Sequence, residues 1–435
     1  MLMIRISSFI KGIVGHRVSR NASWIFLGQG ANFLLQAGYF ILLARLLGVY
    51  EYGVFAGAFA LVNAITPYSA LGAGMLFMRY VTIDREEARV YWGNTLVITF
   101  LMSILIAVVF FFLGPVITKI SHRSIFVVLV FANCLFSQIA NLASMVFQTF
   151  EKMRLTATLS FLANLARFLI LLVMQFTLHH ATAVQWAYGV LGASACAAVV
   201  SIIWVRSAIG SFSCSPKLIL RRIPEGFSFS FAGTTQAVYN DIDKTMLSHY
   251  GLNRENGFYT LAYRIIDFTT TPIVAMDSAI LPRYFQLSRE GMSPVIRLVI
   301  KSVRISILLG FVIAAGTLLL APVVPHIVGR DFSGVLVALR WLCWLPLLRG
   351  IHRMTGSALT GSGYQNERTA AQFLAAAVNV VLNFLWIPAY GWIGAAWSSV
   401  AADGLLAVLN PIILLWASRR ISRNETAVIV EVTES

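Results

Sequence analysis

The residues QAVYNDIDKTMLSHYGLNRENGFYTLAYRIIDFTTTPIVAMD, numbers 236–277, decide how this chain is to be read. Two hydrophobic runs carry Asp241, Asp243, Lys244, Arg264, Asp267 and Asp277 in their interiors. A charge at the centre of a bilayer costs roughly 2.5–3.5 kcal/mol even on a lenient insertion scale, so several on neighbouring helices persist only where they face protein, water or substrate. The stretch predicts the wall of a water-filled, ion-lined cavity in a membrane transporter.

The rest of the chain supplies the membrane context. Its 435 residues are 58% hydrophobic and 12% charged, with a mean hydropathy of +0.78. Soluble domains average about 25% charged residues, so the chain is an all-α polytopic membrane protein with no soluble domain left over. A net charge of +15 in a soluble protein would suggest nucleic acid. Here the Lys and Arg residues concentrate in alternate links, which is the positive-inside pattern, and no nucleic-acid partner is expected. Cys134, Cys196, Cys214 and Cys343 are scattered and read as small buried residues, not as a disulfide framework or a metal site. The pair His179-His180 sits in a short link without carboxylate or cysteine company, so no metal is expected.

Residues 1–21 mix apolar positions with Arg5, Lys11, Arg17 and Arg20 and read as a basic amphipathic segment on the inner membrane face. Twelve spans follow, near 22–44, 53–75, 91–113, 124–147, 157–177, 185–205, 227–247, 257–281, 298–320, 334–358, 369–387 and 394–417. An even number places both termini on one side, and the charge bias makes that side cytoplasmic. A repeat emerges at Gly48 and Gly53 against Gly251 and Gly257, Pro67 against Pro272, Arg79-Tyr80 against Arg283-Tyr284, and Pro115 against Pro322. Gly and Pro fix backbone geometry, so their shared spacing marks two six-helix lobes, 22–205 and 227–417, related by a pseudo-two-fold axis along the membrane normal. A flexible basic link, 206–226, joins them, and a cytoplasmic tail, 418–435, closes the chain.

Polar side chains recur at helical spacing inside the spans: Gln29, Asn32 and Gln36; Asn133, Ser137 and Asn141; Gln236 and Asn240; Gln372, Asn379 and Asn383. Each stripe lines a central cavity or bonds one helix to the next. Arg167, Lys244, Arg264, Arg340 and Arg349 are the candidate cations for an anionic substrate, because guanidinium grips phosphate oxygens in pairs and stays charged. Arg264 and Asp267, three residues apart, also suit simple mutual neutralisation. Asp241, Asp267 and Asp403 are candidates for coupling to a proton or Na⁺ gradient, since a carboxylate taken out of water trades its charge readily. Trp341 and Trp344 suit lipid packing or stacking on sugars. No nucleotide loop, metal cluster, cofactor fingerprint or catalytic triad is present in the sequence, which argues against an enzyme.

Several segments together resemble the bacterial polysaccharide transporter family, the Wzx-type oligosaccharide flippases of the multidrug/oligosaccharidyl-lipid/polysaccharide (MOP) exporter superfamily. They are LARLLGVYEYGVFA at 43–56, VFQTFEK at 146–152, DIDKTM at 241–246, GFYTLAYR at 257–264, and TGSGYQ at 360–365 with Asn379, Asn383 and PAYGWIGA at 388–395. The resemblance implies twelve helices in two lobes around a cationic cavity. It also implies a lipid-linked oligosaccharide as substrate, carried on undecaprenyl pyrophosphate across the plasma membrane for surface polysaccharide synthesis. Membrane lipids and the polysaccharide polymerase and chain-length machinery are the partners it implies, with the transporter itself acting as a monomer. An ion-coupled drug or metabolite antiporter on the same fold is the alternative, and a membrane-embedded glycan polymerase or ligase a more distant one.

Overall fold

A computed structural model describes the backbone of residues 16–178 and 180–434, and side chains of 35–178, 180–219 and 221–420. Residues 1–15 of the basic N-terminal segment, His179, and the side chains of Gln29 and Asn32 lie outside the described residues. The described chain is helical with no strand: α1 His16–Ser69, α2 Ala73–Val81, α3 Ala88–Thr118, α4 Arg123–Val130, α5 Gln138–Thr149, α6 Met153–Thr177, α7 Ala183–Ile209, α8 Pro216–His249, α9 Asn253–Leu287, α10 Met292–Leu320, α11 Val324–Val328, α12 Val335–Leu342, α13 Leu345–Gly361, α14 Gln365–Tyr390 and α15 Trp392–Glu434.

Nine described segments are long and apolar enough to cross a membrane. One of them, Leu35–Val81, holds two passes, because Gly48 (φ 68°) breaks α1 where an L side chain would be strained. The helices α8 and α9 are also long enough but carry the charges of 236–277, so apolarity alone misses them. With these the passes number twelve among the described residues, and the described chain returns to the membrane face from which it starts. The first expected link, 45–52, is thus helix on both sides of one glycine. The inter-lobe link is shorter than 206–226: α7 runs to Ile209, and Pro216 opens α8 at the first helical position, where its missing N–H has no bond to lose. The expected tail beyond 417 continues α15 as helix to Glu434.

The repeat shows as reciprocal contact between lobes. Gly48 and Gly251 both break the chain with positive φ, 68° and 77°, between the first and second passes of their lobes. Just beyond each lies a glycine pressed on the other lobe's backbone. A Cβ at Gly53 would overlap the Asn253 carbonyl oxygen, and one at Gly257 would overlap that of Val49. One turn on, Gly57 lies against Ser248. Small residues let helices approach this closely in lipid. Asn256 locks the seam, its Nδ2 donating to Gly53 O at 3.0 Å and Lys244 O at 2.9 Å. Tyr52 meets Phe332 edge-on at 6.1 Å. This end of the molecule, opposite the one where the described chain begins and ends, is sealed.

At the other end α8 leans on the N-lobe. Ser230 donates to Pro67 O at 2.9 Å, and Gly226 packs on the Leu71 carbonyl, where positive φ at Leu71 and Gly72 divides α1 from α2. Glu225 accepts from Arg79 Nη1 at 2.7 Å and from the Tyr80 hydroxyl at 2.9 Å, while Arg222 donates to that hydroxyl and covers its ring. The start of α8 is therefore clamped to the N-lobe instead of hanging as a flexible strap. On α10, Arg297, Lys301 and Arg304 are exposed, opposite the buried Val295, Val299, Ser302 and Ser306 face, and stand at the terminal end of an apolar run where long side chains reach headgroups. Cys134 and Cys343 are buried as expected. Cys196 and Cys214 are exposed, Cys196 because its position on α7 faces outward, and all four are free thiols.

Candidate functional site

A cavity of about 820 Å³ opens within the C-lobe, walled by α8, α9, α13, α14 and α15. Its polar wall brings together Gln236, Asn240, Asp241, Arg264, Asp267, Arg349 and Asp403 of the expected residues, and adds Tyr239, Tyr263, His352, Arg353 and Arg368. The charges form two knots. In the first, Lys244 is 3% exposed and its Nζ donates to Asp241 Oδ1 at 2.8 Å and to Asn240 O at 3.0 Å, with Asp243 Oδ1 at 3.4 Å. Asp243 also accepts from the Tyr259 hydroxyl at 2.5 Å, and the ammonium sits 4.3 Å from the Tyr263 ring centre. In the second knot Arg349 donates Nη1 to Asp267 at 2.8 Å, Nε to Asp403 at 3.1 Å and Nη2 to the Tyr263 hydroxyl at 2.9 Å. Tyr239 donates to Asp403 as well, and His352 Nε2 lies 3.2 Å from it.

Buried ions are tolerated when paired and hydrogen-bonded, and Lys244, Arg349 and Asp403 are each held by an opposite charge and at least one further polar group. Lys244 and Arg349 have carboxylate partners that the sequence reading did not assign to them. Arg264 is 3.7 Å from Asp267, the local pair that the i, i+3 spacing allows, yet remains 29% exposed at its side chain. Two guanidinium groups facing the same cavity have no carboxylate within ion-pair distance among the described residues: Arg353 on α13 and Arg368 on α14. They are neighbours in space, since Gly356, one turn after Arg353, leaves the room in which Arg368 lies. Arg368 donates Nη1 to Thr360 Oγ1, while Arg353 Nε is buried without a partner.

Sequence reasoning missed Arg368, although a signal was present. It precedes Gln372 by one turn and extends that polar stripe, but it stood one residue outside the expected span. Arg353 lies inside the expected span 334–358, near enough to its end to pass for an interfacial side chain.

A second cavity, about 280 Å³, lies in the N-lobe and holds Arg167 and Asn141 together with Asn63, Asn133, Ser137, Ser160 and Asn164. Asn63 donates to Asp241 at 3.1 Å, joining the walls of the two cavities across the lobes.

Four expected residues line neither cavity: Lys244, which is buried behind the wall in its ion pairs, and Arg340, Asn379 and Gln36. Arg340 is exposed on α12, beside Trp341 and Trp344, which are 40% and 45% exposed and pack against Trp397 and Phe311. Asn379 is 2% exposed and accepts from Asn383 at 3.0 Å within α14, a bond along one buried helix face. Gln36 is exposed on α1 and lines neither cavity. Among the described residues no group of His, Cys, Asp and Glu is placed to hold a metal ion.

Twelve passes among the described residues, in two reciprocal lobes, define a multi-pass membrane protein, and solved structures share the fold. An inward-facing multidrug resistance MATE family transporter of the MOP superfamily superposes with a TM-score of 0.73 at 16% identity, covering 91% of this chain and 96% of its own. An outward-facing structure of such a transporter gives 0.58 at 17% identity, covering 92% and 94%. A MOP superfamily transporter from Pyrococcus furiosus, described as having a binding pocket of reverse polarity, gives 0.61 at 14% identity, covering 91% and 93%. Comparison with curated proteins finds no match. The sequence profile of the polysaccharide biosynthesis protein family matches residues 18–288, well over half of the chain, and the chain belongs to that family.

Proposed function

We propose that this transporter is a flippase that moves an undecaprenyl-pyrophosphate-linked oligosaccharide repeat unit across the bacterial plasma membrane, supplying O-antigen, capsule or exopolysaccharide synthesis. The observation that carries the reading is the pair Arg353 and Arg368, two guanidinium groups on one cavity wall outside any ion pair among the described residues. A pyrophosphate offers two anionic centres, and guanidinium meets phosphate oxygens with paired, charge-assisted hydrogen bonds. Arg264 adds a third, half-neutralised cation. Membership of the polysaccharide biosynthesis family supports a glycan cargo.

Alternating access is the mode of transport. The sealed seam at Gly53, Gly57 and Gly257 is the outer gate, and the cavity communicates with the cytoplasmic side, where both termini lie. The higher TM-score to the inward-facing relative, 0.73 against 0.58, supports this state. A cation or proton taken up by Asp267 or Asp403 would have to displace Arg349 from that carboxylate, which makes that knot the point of ion coupling.

In a strain lacking the protein, lipid-linked repeat units should accumulate at the inner leaflet, and the wild-type chain but not Arg353→Gln/Arg368→Gln should clear them. Repeat units accumulating outside the membrane instead would favour a polymerase. The three carboxylates Asp241, Asp267 and Asp403 in the same wall favour the antiporter alternative. Uptake of organic cations by everted vesicles, with no glycolipid movement, would establish it.

A further inference from the structure

We propose that the N-lobe cavity is a sugar-binding subsite, chemically distinct from the charged C-lobe cavity, which takes the uncharged, hydroxyl-rich part of the cargo. This rests on the reading of the protein as a carrier of a lipid-linked glycan.

Three observations converge on it. First, the wall is built of carboxamides and hydroxyls, Asn63, Asn133, Asn141, Asn164, Ser137 and Ser160, with one cation, Arg167, and no carboxylate among the described residues. An amide side chain carries both donors and acceptors, which is what a ring of hydroxyls demands, whereas a phosphate offers only acceptors. Second, the wall is distorted where Asn133 and Ser137 stand. Residues Phe131–Ser137 form a π-helix between α4 and α5, an uncommon geometry that widens the helix and re-aims its side chains, and Asn133 and Ser137 belong to it. Ala132, Asn133, Cys134 and Leu135 of this segment are buried, and Asn133 Nδ2 donates to Leu129 O at 3.1 Å, which fixes its side chain with the carboxamide at the cavity wall. Third, Arg167 is held but not satisfied. Its Nη2 donates to Ser137 Oγ at 2.9 Å, while Nε is buried without a partner.

The placement fits a single elongated cargo. Asn63 of the sugar cavity donates to Asp241 of the charged cavity, so the two chambers abut at the lobe interface. A ligand with a pyrophosphate at Arg353 and Arg368 reaches the amide cavity with its glycan. Glycan recognition by one lobe and phosphate recognition by the other would make cargo the bridge between them.

The test uses the purified full-length protein and two probes that differ only in the sugar: undecaprenyl pyrophosphate, and the same lipid carrying one N-acetylglucosamine. The wild type should bind the glycosylated lipid at least about ten-fold more tightly, the effect expected of two hydrogen bonds to neutral groups. Asn141→Leu and Ser160→Leu, both at exposed positions and therefore compatible with folding, should each remove most of that increment while the affinity for the bare lipid stays. Asn141→Gln should retain part of it. An increment that survives in both leucine variants overturns the subsite. Equal binding of both probes by the wild type also overturns it and leaves the flippase reading standing. Binding of neither probe overturns both.

Discussion

Replacing Gly53 by alanine tests the outer gate with a single methyl group. The added Cβ falls on the carbonyl oxygen of Asn253, a backbone atom that cannot rotate away, so the seam must separate there. Separation stretches the Asn256 hydrogen bond to Gly53 O, 3.0 Å in the closed seam, and loosens the Gly57–Ser248 contact one turn further on. A buried neutral hydrogen bond is worth about 1 kcal/mol, and together with the packing lost at the Gly53 and Gly57 contacts the closed state is weakened by about 2–3 kcal/mol. At 1.4 kcal/mol per factor of ten, the gate-open population rises about 30- to 140-fold. The assay is thiol labelling of Asn240→Cys, on the cavity wall, after the four native cysteines are replaced by alanine. A membrane-impermeant maleimide should reach wild-type Cys at 240 from the cytoplasmic face, and Gly53→Ala should raise the labelling rate from the opposite face by tens of fold. An unchanged one-sided pattern would refute the claim that this glycine contact is the gate.

Arg349→Ala takes the guanidinium from the buried Asp403, and breaking such a buried pair costs about 3–5 kcal/mol, while the more exposed Asp267 keeps Arg264. Its melting temperature in detergent should fall steeply, and Arg349→Ala/Asp403→Asn should recover part of the loss. Arg340→Ala should leave glycolipid export unchanged, because that side chain lies on the exposed flank of α12; abolished export would return it to the mechanism. Glu225→Gln releases the clamp of Arg79 and Tyr80 on α8. It should change the transport rate more than the affinity for cargo, as read by initial rates across a range of glycolipid concentrations.

The lobes and their axis were legible because the residues that mark them are constrained by backbone geometry. Gly48 and Gly251 must turn with positive φ, and Gly53 and Gly257 must admit a neighbouring backbone, so none of the four is free to be anything larger. The ion-bearing helices α8 and α9 were legible for the converse reason, that charge in a hydrophobic run needs a wet or paired site. Pairing was not legible beyond i, i+3 neighbours. Arg349 meets Asp267 and Asp403 from two other helices, and only three-dimensional packing sets that arrangement. Arg340 and Arg349 looked alike as intramembrane arginines, yet nine residues on a 3.6-residue helix turn them to opposite faces, and the break at Cys343–Trp344 separates them further. Asn63 and Asn164 went unread because single amides inside a span serve helix packing as often as a cavity. The π-helical turn that carries Asn133 and Ser137 to the N-lobe cavity leaves no mark in composition or spacing.

The central claim, that an anionic lipid-linked glycan passes through the charged C-lobe cavity, is tested most directly in liposomes. The purified protein is reconstituted with an undecaprenyl-pyrophosphate-linked oligosaccharide in one leaflet, and the arrival of glycan at the other is followed with a lectin or glycosidase that does not cross the bilayer. Translocation by the wild type that falls by at least about ten-fold in Arg353→Gln/Arg368→Gln, with both proteins equally folded, is the predicted result, since two charge-assisted contacts are lost. Equal rates for the two proteins would contradict it.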